Sequence, residues 1–122
     1  MTTLPDTASP DHGIAAWHAH VYYDPTATRD RAEGLRAKIE SAFPTAIVGS
    51  WHDKLVGPHT RAMFQVAFDH ALFDSLVPFL ALHRDGLAIL VHADSTGDHK
   101  ADHTTHAIWM GEVLAVKTAQ WT

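Results

Sequence analysis

The sequence predicts an α+β domain: an antiparallel sheet with two helices on one face. Three observations carry this reading. Four short segments have strand composition, two longer ones repeat apolar residues at helical spacing, and their order is β-α-β-β-α-β. A chain of 122 residues has the length for one compact domain with a real hydrophobic core.

Residues 1–13, rich in Thr, Pro, Asp and Ser, read as a mobile tail, and residues 14–122 as a single domain. Residues 14–23 (IAAWHAHVYY) are rich in β-branched and aromatic residues and alternate from Trp17 on, which predicts a strand. Trp17, Ala19 and Val21 share one face; His18, His20 and Tyr22 share the other. Asp24-Pro25 is a helix-start pair. Leu35, Ile39, Ala42 and Phe43 follow at helical spacing, which predicts a helix over about 26–43 that Pro44 ends.

Residues 46–54 predict a second strand, Val56-Gly57-Pro58 a turn, and residues 59–68 a third strand. Ala62, Phe64, Val66 and Phe68 form the apolar side of that strand, opposite His59, Arg61, Met63 and Gln65. Asp69 is positioned to cap a helix over about 70–84, with Leu72, Phe73, Leu76 and Leu80 facing the core. Pro78 should kink or divide it, and Gly86 stands where the chain leaves a helix. Residues 87–92 (LAILVH) predict a fourth strand, 93–106 a polar loop, and 108–116 an added strand or a dimer seam. This is the ferredoxin-like arrangement, with strand order 4-1-3-2 and the second sheet face open for a ligand or partner.

Composition narrows the chemistry. Lys and Arg total 9 against 14 Asp and Glu, for a net charge of −5, which argues against a phosphate-backbone binder. Nothing approaches the roughly 18 apolar residues of a membrane span, and residues 1–13 lack a secretory pattern, so a cytoplasmic location is expected. There is no G-x-S-x-G, P-loop or G-x-G-x-x-G. The absence of cysteine excludes disulfides, thiolate metal sites and Cys nucleophiles. Eleven histidines, more than Lys and Arg combined, are the anomaly.

His18-x-His20 on a strand projects two imidazoles the same way, about 7 Å apart at Cα, so both can lean onto one metal ion. A third ligand from a neighbouring strand would leave coordination positions open, the catalytic pattern. His59, after its turn, and His92, at a strand end, are the partners, with His52 beside them. A carboxylate version of the site would need Glu112, Asp102 or Asp98; an all-His site is equally open. Iron, zinc, manganese, copper and nickel all suit nitrogen and oxygen ligands. His12, His70, His83 and His99 read as solvent residues, and Trp17, Trp51 and Trp109 as core or interface. Arg61 suits either a substrate carboxylate or an ordinary ion pair.

The blocks His18-Ala19-His20-Val21-Tyr22-Tyr23-Asp24-Pro25, Trp51-His52-Asp53-Lys54, Gly57-Pro58-His59, Leu90-Val91-His92, Asp102-His103-Thr104 and Trp109-Met110-Gly111-Glu112 together resemble the DOPA 4,5-dioxygenase family. The resemblance implies a ferredoxin-like, often dimeric, extradiol dioxygenase with non-haem Fe(II), although zinc or another divalent metal can occupy such a site. Fungal members cleave the catechol ring of DOPA between C4 and C5, using O2. On this resemblance three of His18, His20, His59 and His92 hold the metal, and His52 and His103 move protons. Arg61 and Tyr22 contact a catechol. Two departures bear on loop geometry: Ala93-Asp94-Ser95 stands where Pro-Asn is expected after His92, and Thr60 where a Pro is common after His59. The competing readings are a non-catalytic His-rich metal binder and a different small oxygenase or isomerase on the same fold.

Overall fold

A computed structural model describes residues 12–94 and 97–121. The expected mobility of residues 1–13 therefore falls, except for His12 and Gly13, outside the described residues, as does Ser95. The sheet strands are β1 (Ala16–Tyr23), β2 (Ile47–Val48), β3 (Ala62–Asp69), β4 (Ile89–Ala93) and β5 (Ile108–Met110). Helices α1 (Arg29–Ala42), α2 (Phe73–His83) and α3 (His99–His103) connect them. All pairings in the sheet are antiparallel, in the order β2-β3-β1-β4-β5. The expected 4-1-3-2 order holds, with the added strand extending the sheet beyond β4.

The alternation of β1 and β3 places Trp17, Ala19, Val21, Phe64, Val66 and Phe68 against α1 and α2. There they meet Leu35 and Ile39 of α1 and Leu76 and Leu80 of α2, all at most 2% exposed. The other face carries a second, smaller cluster of Tyr22, Met63, Ala88, Leu90 and Leu114, with Trp109 stacked on Tyr22 at 5.9 Å between ring centres.

Several boundaries differ from the sequence expectation, each for a local reason. Helix α1 starts at Arg29 because residues 25–28 form a turn, held by Asp24 Oδ1, which accepts from the Thr26 backbone N–H and hydroxyl. Asp24 therefore caps a turn that leads into the helix. Strand β2 is two residues long, and beyond it residue 52 touches the sheet only as an isolated bridge to Met63. Arg36 donates to the Gly49 carbonyl and stacks on Trp51, holding this segment to α1. Strand β3 starts at Ala62; His59 instead bridges to Val116. Pro78 does not divide α2, which runs through it. The division falls earlier, where a 3-10 turn (His70–Leu72) gives way to α2. The polar stretch expected as a loop contains α3, whose N-cap Asp98 accepts from the Ala101 backbone N–H. No helix among the described residues is long and apolar enough to cross a membrane.

Candidate metal centre

Five histidines gather on the open sheet face. His18 and His20 come from β1, and His92 of β4 stands directly across from His18 in the ladder. β4 itself does not alternate polar with apolar, so its register with β1 decides the side on which His92 falls. His103 comes from α3, and His59 from the turn before β3, where the bridge to Val116 and the Thr60 hydroxyl donating to the Ala115 carbonyl fasten it.

His20 is the hub. Its ring centre lies 4.2 Å from that of His59, 5.0 Å from His92, 6.0 Å from His18 and 6.2 Å from His103. Two triads bring one nitrogen of each ring within 4.8 Å of the others, near enough that they could close on one ion: His18-His20-His92 and His20-His59-His103. The second is buried throughout. His20 Nε2 and His92 Nε2 are 2.9 Å apart, close to the roughly 3 Å expected of two nitrogens each about 2.1 Å from one ion.

The surroundings fix which nitrogen faces inward. The Ala93 carbonyl accepts from His92 Nδ1, and the His99 carbonyl accepts from His103 Nδ1, at 2.8 and 2.7 Å. Carbonyls only accept, so both Nδ1 atoms carry the proton and both Nε2 atoms keep an unprotonated lone pair, that of His92 facing His20 Nε2. The Tyr22 hydroxyl lies 2.7 Å from His59 Nδ1. His20 Nδ1 is buried without a hydrogen-bond partner among the described residues. A buried polar atom of that kind calls for an ion, a water or a ligand.

The electrostatics also suit a metal. Burial pushes the His59 and His92 imidazoles down to about 4, with neighbouring histidines adding to the effect, outweighing opposing contributions at His92. Burial and its four histidine neighbours hold His20 well below its ordinary value, and burial lowers His103. At neutral pH these rings are uncharged, the form that binds metal. The donor set therefore fits a divalent cation.

The remaining expected residues divide. His18 Nε2 lies 3.2 Å from Asp94 Oδ2 at the rim. His52 is half-buried and near enough to His59 to help lower it. His103, expected as a proton carrier, sits within the buried triad. Arg61 lies apart from the histidines: its guanidinium pairs with Glu112 at 2.9 Å, on the wall of a cavity of about 520 Å³ that Tyr22 also lines. Of the three carboxylates considered, Glu112 is engaged by Arg61, Asp98 caps α3, and Asp102 is buried beside His103. Both triads are all-histidine.

Among the histidines read as solvent residues, His70 accepts a hydrogen bond from the Trp17 indole N–H at 2.8 Å, and His83 packs on Phe79. Sequence reasoning missed two neighbours of the centre. Asp94 follows β4 in a segment read only as polar loop. Trp121, half-buried, stacks on His103 with ring centres 4.7 Å apart. It stands outside every periodic segment, so no sequence signal marks it.

Fold and centre together define a small α+β protein whose antiparallel sheet carries a buried all-histidine cluster able to hold a metal ion. The sequence model of the Dopa 4,5-dioxygenase family matches residues 17–120, and the chain belongs to that family, a family of dioxygenases. It is 35% identical to an uncharacterized 21.2 kDa protein of Botryotinia fuckeliana over 85% of this chain and 62% of that one. It is 26% identical to the DOPA 4,5-dioxygenase of Amanita muscaria over 98% of this chain and 56% of that enzyme. The chain thus spans somewhat over half the length of these two relatives. A crystal structure from Nostoc punctiforme, provisionally named a dioxygenase, superposes with a TM-score of 0.80 at 47% identity, covering 84% of this chain and 87% of that one.

Proposed function

We propose that this protein is an extradiol dioxygenase that opens the ring of a catechol such as DOPA with O2, using a divalent metal, Fe(II), held by His20, His59 and His103. The observation that carries this reading is the fully buried triad around His20, inside a chain of this family. Three neutral nitrogen ligands leave positions on the ion for a substrate. When bound, the metal brings catechol and O2 together and passes electron density between them.

The chain's own residues do the rest. The carbonyls of His99 and Ala93 keep His103 and His92 in the tautomer that presents Nε2. Leu90, Leu114 and Met63 form the apolar cluster beside the centre on this sheet face, and help exclude water from it. His18, its Nε2 facing the Asp94 carboxylate, stands at the rim, where the Nδ1 of its imidazole is the nitrogen left to take a catechol proton and return it later in the cycle. His52, beside His59, is the second candidate for that exchange.

Anaerobic loading with Fe(II), followed by oxygen uptake with DOPA, caffeate and protocatechuate, tests the reading. A yellow ring-opened product is expected. Metal-loaded protein that turns over none of these catechols refutes it. One observation favours the alternative of a non-catalytic metal binder: His92 supplies a fourth nitrogen 2.9 Å from His20 Nε2, enough to close the site. Nitric oxide added to the Fe(II) form discriminates, because only an open site gives the adduct.

A further inference from the structure

The three histidines of the buried triad are not held alike. His20 sits on β1, which pairs with β3 on one side and β4 on the other, so the sheet fixes it. His59 precedes β3 and His103 ends α3, and both are met by the C-terminal segment that follows β5. Leu114 anchors the near end of that segment in the apolar cluster of Tyr22, Met63 and Leu90. The Ala115 carbonyl accepts from the Thr60 hydroxyl, residue 116 bridges to His59, and the Lys117 N–H donates to the Pro58 carbonyl. The Trp121 N–H then closes a turn on the Thr118 carbonyl, and the indole stacks on His103 with ring centres 4.7 Å apart. Apart from the bridge at residue 116, residues 114–121 belong to no helix or strand, and a segment held by so few contacts opens at lower free energy than the sheet. His20, His59 and His103 are 3%, 4% and 8% exposed, so an ion reaches them only when part of their cover moves.

We infer that residues 114–121 are a strap that positions His59 and His103 around His20, so that strap docking and metal binding are coupled and release of the strap lets the ion in and out. The inference rests on the reading of this triad as the metal site. With the strap lifted, His59 keeps the Tyr22 hydroxyl and His103 keeps the His99 carbonyl, but the contacts that tie both rings to one segment are gone. A site assembled for only part of the time binds its ion more weakly by that fraction. By reciprocity, the bound ion favours the docked strap by the same factor. The link at Lys117 is a main-chain N–H, and its side chain is exposed, so proline at 117 removes the bond and alanine leaves it in place.

The test compares Lys117→Pro with Lys117→Ala, and Trp121→Ala with Trp121→Phe, in the full chain. Chelator competition gives zinc affinity, and transfer into excess chelator gives the release rate, both without turnover. Lys117→Pro and Trp121→Ala should each bind zinc about tenfold more weakly, the scale of losing a group that orients a ligand, and release it faster. Lys117→Ala should match the wild type, and Trp121→Phe should recover most of the affinity. The reverse direction is read in the wild type by trypsin, which cuts after the exposed Lys117. Saturating zinc should slow release of the peptide 118–122 about tenfold, and slow cleavage after Lys38 of α1 less. Wild-type zinc affinity in both Lys117→Pro and Trp121→Ala overturns the inference, and so does cleavage at Lys117 that is indifferent to zinc. A wild type that binds no zinc overturns the triad as a metal site and the strap with it. If zinc binding depends on the strap but no catechol is turned over, the dioxygenase reading fails and the strap stands.

Discussion

Acid should unfold the metal-free protein well before its carboxylates titrate. His59 and His92 are held near 4, while an unfolded histidine titrates near 6.5. The unfolded chain therefore binds more protons between those values, and stability must fall as pH drops through that window. For a histidine shifted this far, linkage gives a loss of about 2 kcal/mol by pH 5 and about 3 kcal/mol by pH 4. His20 and His103, lowered by the same burial, push in the same direction. Asp24 and Asp53 are held below their ordinary value of 3.8, so what they contribute disappears only at still lower pH. Urea unfolding followed by tryptophan fluorescence at pH 7, 6, 5 and 4.5 reads the effect. The midpoint should fall steeply across the series, and more gently in His92→Asn, which removes one titrating ring. A midpoint that stays flat from pH 7 to 4.5 would refute the argument that these rings are buried and neutral.

Four further outcomes follow from the same geometry. Adding zinc at pH 7 should raise the thermal midpoint of the wild type, by a free energy of about 3 kcal/mol at a hundredfold excess over Kd, and calorimetry measures it. His20→Ala should abolish that rise, since both triads share His20, whereas His18→Ala should retain it and lose turnover instead. Tyr22→Phe removes the hydroxyl beside His59 Nδ1 and should weaken metal binding about tenfold with the fold intact, read by chelator competition. Gly111→Ala should destabilise by about 1–2 kcal/mol in urea, because Gly111 sits at φ 85 and an added Cβ would meet the Arg84 guanidinium.

The parts of the centre that sequence shows and hides differ in how they are held. His18 and His20 are legible because β1 alternates cleanly: one face meets the helices, and the other carries polar groups. Phe64, Val66 and Phe68 are legible for the same reason. His92 is ambiguous because β4 is buried on both faces: Ile89 and Val91 lie under the helices, Ala88 and Leu90 under Tyr22 and Trp109. A strand covered on both sides loses its alternation, and only the pairing of His92 with His18 reveals its direction.

His59 and His103 are harder still. His59 lies outside β3 altogether, and the contact that aims it comes from residue 116, far along the chain. Helix α3 has five residues, too few for a helical repeat to emerge from a polar segment. What makes His103 a candidate ligand is a local backbone event, the His99 carbonyl accepting from its Nδ1, and local hydrogen bonds of that kind leave no periodic trace. Strand alternation therefore shows which way His18 and His20 point, whereas His59 and His103, though candidates in the sequence, are aimed by a short turn, a five-residue helix and a distant bridge that leave no alternation. The buried triad takes one histidine from an alternating strand and two from such contacts. A reading from alternation alone finds the strand that carries the hub and leaves the aim of the other two histidines to be settled by contacts the sequence does not display.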